Sequence, residues 1–95
     1  MAAYIIALVQ VTDPEKFAAY QAQASVSVDR YGGRFIANGE DVRVLEGDSR
    51  PDKIVLVEFP SLERAREFYY SPEYQQDIRS RKGAVSMKIL GVEGV

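Results

Sequence analysis

The two strongest strand candidates in this chain are apolar on both of their alternating sides. Tyr4 to Val11 sets Tyr4, Ile6 and Leu8 on one side and Ile5, Ala7, Val9 and Val11 on the other. Ile54 to Phe59 repeats the pattern, with Ile54 and Leu56 opposite Val55, Val57 and Phe59. A strand wet on one face alternates apolar with polar residues, so both faces of this sheet need a cover.

The rest of the chain tells which face its own helices cover. Asp13 reads as an N-cap and Pro14 as the first helical residue, followed by Phe17, Tyr20, Ala24, Val28 and Tyr31 at helical spacing. Gly32-Gly33 stops this helix by supplying positive φ. Arg34 to Ala37 is a short strand ended by Asn38-Gly39, and Val42 to Glu46 a further extended segment, with a turn at residues 38–41. Gly47 to Lys53 is the most polar loop. After the Ile54–Phe59 strand, Ser61 caps a second helix whose Leu62, Ala65, Phe68 and Tyr69 share a face. Ser71-Pro72 restarts that helix, placing Tyr74 and Ile78 four apart, and Gly83 ends it. Val85 to Val92 is the last strand.

The order is β-α-β-β-α-β. The expected fold class is α+β, a ferredoxin-like antiparallel sheet with its helices on one face, because right-handed crossovers direct both there. The other face is covered most economically by a second copy, which is self-complementary across a two-fold axis. The expected partner is therefore the chain itself, a homodimer through the open sheet face. The 95 residues make one domain, 1–95. A chain of this size buries only about 60–65% of its unfolded surface, so association helps it.

Composition removes several chemistries. The chain has neither Cys nor His, which excludes disulfides, thiolate chemistry, imidazole proton shuttles and haem or zinc ligation through these residues. Glu46, Asp48 and Asp52 do not match a calcium-loop pattern, no glycine pattern cradles phosphate, and neither a metal nor a cofactor is expected. Net charge is −2 with interspersed signs, so nucleic acid is not an expected partner. No stretch approaches the roughly 20 apolar residues of a membrane span, and the start lacks a basic leader. No membrane association is expected, and a cytoplasmic location follows by default.

Five segments carry a resemblance over nearly the whole chain: Val11-Thr12-Asp13-Pro14, Gly32-Gly33-Arg34-Phe35, Val44-Leu45-Glu46-Gly47, Glu58-Phe59-Pro60-Ser61, and Ser71-Pro72-Glu73-Tyr74-Gln75 with Arg81 following. In these the sequence resembles the family called domain of unknown function 1330, within the dimeric α-β barrel superfamily. The resemblance implies a homodimer whose two sheets meet in a barrel-like core. It implies no function. The wider superfamily includes cofactor-independent monooxygenases, isomerases and haem-processing enzymes, several of which use a His that this chain lacks. Where the family often has Trp, this chain has Phe68.

Glu58 is the candidate catalytic residue. A carboxylate inside an apolar strand is either desolvated, with a raised pKa, or paired with a cation such as Arg34 or Arg81. Arg34, Arg81, Tyr69 and Tyr74 are candidate ligand-binding residues. The guanidinium fork suits a carboxylate or enolate, and the two phenols straddle the Ser71-Pro72 break. Each of these five also has a structural reading, as an ion pair, a solvated helix end or core packing. Tyr20 and Tyr31 are assigned to the core. The function expected is binding or conversion of a small organic molecule between sheet and helices; the alternative is a non-catalytic metabolite-binding or interaction module.

Overall fold

A computed structural model describes residues 1–95. It contains β1 (Ala3–Val11), α1 (Pro14–Arg30), β2 (Arg34–Gly39), β3 (Lys53–Phe59), α2 (Leu62–Tyr69), α3 (Pro72–Ser80) and β4 (Val85–Glu93). The strands form one sheet in the order β2-β3-β1-β4, every neighbouring pair antiparallel. This is the ferredoxin-like α+β arrangement, with the second helix of the pattern broken in two.

Each helix starts where the sequence supplies a cap. The Asp13 carboxylate accepts from the Lys16 N–H, Ser61 Oγ from Arg64 and Ser71 Oγ from Tyr74, with Pro14 and Pro72 in the first helical positions. Gly32 follows α1 with φ of 79°. At Gly33 a Cβ would stand 2.7 Å from the Phe59 ring and 2.9 Å from Val28, so only glycine lets the chain turn this tightly onto the core.

Burial alternates along both central strands. Ala3, Ile5, Ala7 and Val9 of β1, and Val55, Val57 and Phe59 of β3, are buried beneath the helices. Tyr4, Ile6, Leu8, Ile54 and Leu56 lie on the opposite face and are half-buried. Leu90 and Val92 extend that face on β4, 44% and 47% exposed. The slab measures 31 × 31 × 16 Å, which accommodates one sheet and one helix layer, so the second apolar face has no cover within the chain.

One expected element is absent. Val42–Glu46 forms no strand and lies in an irregular connection between β2 and β3. A strand needs a neighbour, and β3 already takes β2 on that side. The connection is held instead by side chains: Arg50 Nη1 donates to the Val42 carbonyl at 3.2 Å, and Arg43 pairs with Asp41 at 3.0 Å. Conversely, β2 runs on through Asn38-Gly39, with a bulge between Phe35 and Ala37. Lys53, read as the end of the polar loop, is the first residue of β3.

The helices pack on the sheet through the shared core and are also fastened to one another. α1 lies against α3 through polar contacts: Ser27 Oγ donates to the buried Asp77 carboxylate at 2.7 Å, and Ser80 Oγ to Gln23 at 3.1 Å. Arg30 and the Tyr31 hydroxyl reach Glu73 at 3.4 and 3.3 Å. α2 packs on the sheet through Ala65 and Phe68, the latter ring 5.1 Å from Phe59 and 4.4 Å from Tyr74. No helix is long and apolar enough to cross a membrane.

Candidate functional site

Between α1 and the sheet lies a cavity of about 50 Å³. Ile5, Ala7, Val55 and Val57 form its floor, and Phe17 and Ala24 its roof. Tyr20, Tyr74 and Gln21 supply polar atoms to this mostly apolar lining. The Tyr20 and Tyr74 hydroxyls are 2.5 Å apart. Arg81, at the C-terminal end of α3, donates from Nη1 to both of them, at 2.9 and 3.1 Å, with its guanidinium carbon 5.0 Å from the Tyr20 ring centroid.

Counting protons shows what this cluster has to spare. Two phenols carry two hydroxyl protons, and their mutual bond uses one. Arg81 supplies its own protons for the other two bonds. The second hydroxyl proton has no acceptor among the protein's own groups, although both phenols line the cavity. Burial, and next the adjacent Tyr74, push the Tyr20 phenol above its ordinary pKa, so it remains a neutral donor. Arg81 forms no salt bridge, and its charge is uncompensated at this point.

The five candidate residues divide between the two sides of the sheet. Tyr74 lines the cavity, and Arg81, which does not, bonds to the Tyr74 and Tyr20 hydroxyls there. Tyr69 packs on Tyr74 with ring centroids 5.7 Å apart, but it opens toward a separate groove beside β4, with Leu62, Arg66 and Leu90. Glu58 and Arg34 lie on the other face, at the end of the open sheet surface. Arg34 Nε donates to Glu58 at 2.7 Å, and the Tyr4 hydroxyl donates to the same carboxylate at 3.2 Å. The Arg34 hydrogen bond holds the Glu58 carboxyl below the usual carboxylate range, against partial desolvation and with help from Tyr4. Of the two states open to Glu58 in the sequence, the structure has the ion pair, with Arg34 as partner rather than Arg81.

The sequence reading placed Tyr20 in the core and missed its hydroxyl. A signal was present, since a phenol on an apolar helix face needs a polar partner once buried. No three acidic side chains converge closely enough to hold a metal ion.

Residues 2–95 match the family described as Domain of unknown function (DUF1330). The chain belongs to the DUF1330 family. No curated protein matches it. Among solved structures, this DUF1330 chain is similar to a protein of unknown function from Rhodopseudomonas palustris, with 22% identity, 99% of this chain and 82% of that one covered, and a TM-score of 0.78. SnoaB, a cofactor-independent oxygenase from Streptomyces nogalater, aligns over 99% of this chain and 93% of its own at 11% identity and a TM-score of 0.69. A dimeric ferredoxin-like protein of unknown function from Jannaschia sp. CCS1 aligns over 99% and 100% at 10% identity and a TM-score of 0.68. These identities place the DUF1330 chain in a fold.

Proposed function

We propose that this protein binds a small, largely apolar organic molecule between α1 and the sheet. In this reading an oxygen of the molecule rests on Tyr20, Tyr74 and Arg81. The observation that carries it is the spare hydroxyl proton of two phenols that line the cavity, both bonded to an uncompensated guanidinium. A neutral phenol donor and a fixed cation favour an oxygen that bears negative charge, such as a phenolate or enolate. The empty cavity is smaller than the ~150 Å³ that holds benzene, so an aromatic ring enters only as α1 moves outward. Along its length α1 is fastened to the sheet by polar bonds only at Gln21, to Lys53 and Asn38, which suits that movement.

The cavity lining contains no carboxylate, and the chain has no His. With Glu58 on the far face and held ionised by Arg34, no general base faces a ligand there. This favours binding over turnover that needs proton abstraction. Chemistry at the site would instead draw on stabilisation of an oxyanion.

In the same reading the protein works as a homodimer, with the open sheet faces of two copies packed together. The uncovered Ile6, Leu8, Ile54, Leu56 and Leu90 support this, as do similar folds described as dimeric.

4-Nitrophenol tests the site, because only its anion is yellow. Added near the probe's own pKa, the wild-type protein is expected to raise the phenolate absorbance. Arg81→Met removes two charge-assisted bonds and weakens that binding about tenfold or more. Equal binding by both proteins would remove Arg81 from the site.

A further inference from the structure

Lys53 begins β3 on the inward face, in register with Val9, and is only 9% exposed. Its ammonium donates one hydrogen bond, to Gln21 Oε1 at 3.0 Å, and lies 5.5 Å from the Phe17 ring centroid. It forms no salt bridge. Two carboxylates share its groove: Asp52 accepts from the Val11 N–H at 2.8 Å, and Glu40 is exposed. An ammonium has three donors, so two remain uncommitted. No carboxylate lies within ion-pair distance of it, so an arriving anion would find both open donors.

The groove beside Lys53 measures about 340 Å³ and is lined by Pro14, Phe17 and Gln21 as well as Asp52 and Glu40. Phe17 and Gln21 also line the inner cavity, so the two spaces meet at these side chains. The two cations flank one pair of rings. Lys53 sits by Phe17, Phe17 stacks on Tyr20 with centroids 5.8 Å apart, and Arg81 lies by Tyr20.

We infer that Lys53, with Gln21, recognises the carboxylate of a ligand whose acidic hydroxyl rests on Tyr20, Tyr74 and Arg81. The ligand class is a planar hydroxy-carboxylate with its two acidic oxygens at opposite ends. This rests on the reading that the cavity takes a small molecule, and it adds a second recognition point. The ligand passes Gln21 where groove and cavity meet.

Calorimetric titration with two probes tests it: 4-hydroxycinnamate, which carries a phenol and a carboxylate at opposite ends, and 4-nitrophenol, kept in its neutral form, whose nitro group is a much weaker acceptor than a carboxylate. Lys53→Met is expected to weaken 4-hydroxycinnamate about tenfold or more and to leave 4-nitrophenol unchanged, whereas Arg81→Met weakens both. If Lys53→Met weakens neither probe, or both equally, the Lys53 assignment falls. The cavity reading then survives as long as Arg81→Met still weakens 4-nitrophenol. If the wild type binds neither probe, both readings fall. The methyl ester of 4-hydroxycinnamate gives a test without any variant, because the wild type must bind it about tenfold more weakly than the acid. Equal affinity for acid and ester overturns the inference.

Discussion

Glu58 and Arg34 face each other across β3 and β2, and the Tyr4 hydroxyl reaches the same carboxylate from β1. This row at the edge of the apolar face sets how the protein responds to acid. The folded pKa of Glu58 is depressed, chiefly by the Arg34 hydrogen bond, so the unfolded chain takes up the proton more readily. The contribution is complete above the unfolded glutamate value of about 4.3 and is lost as the pH falls from there through the folded value. Urea titrations across this range should show wild-type stability falling more steeply than that of Glu58→Gln. Parallel curves would show that the pair does nothing for the fold. At this scale the sequence disclosed that Glu58 needed a partner, and the β2–β3 register chose Arg34. Tyr20 was harder to read, because its bond to Tyr74 and Arg81 joins residues 54 and 61 positions away. Lys53 was read as the end of the polar loop because it is charged, although it continues the inward set of Phe59, Val57 and Val55.

At the scale of elements, caps and apolar periodicity located all three helices and all four strands. Val42–Glu46 was misread because its apolar residues suggested a strand, whereas it is irregular and has no neighbour to pair with. How α1 would sit was not legible. Apolar spacing aims Phe17, Tyr20, Ala24 and Val28 at the core, but it does not register that Ser27, Gln23 and Arg30 bind α3. The buried bond from Ser27 to Asp77 is central to this fastening, since Ser27 is the one side chain that donates to that carboxylate. Ser27→Ala leaves Asp77 without it and should lower stability by about 1–3 kcal/mol in urea unfolding. An unchanged midpoint would mean that α1 is held by its apolar face alone.

For the whole molecule, the apolar pattern of β1 and β3 implied that one sheet with one helix layer is half of a structure. The slab agrees, with Ile6 paired to Leu56 near the middle of its uncovered face. Ile6→Asp places a charge there and should convert the proposed dimer to a monomer by sedimentation. Wild-type protein that sediments as a monomer would remove the dimer. The sequence grouped Arg34, Glu58, Tyr69, Tyr74 and Arg81 as one site; the sheet separates them, with the only unpaired cation of the five on the helix side. Which side of the sheet a ligand occupies is therefore the central question, and a crystal structure with 4-nitrophenol answers it directly. The probe is expected between α1 and the sheet, its phenolate oxygen within hydrogen-bonding distance of Tyr20, Tyr74 and Arg81. A probe seated on Glu58 and Arg34, with the helix-side cavity unchanged, would contradict that placement.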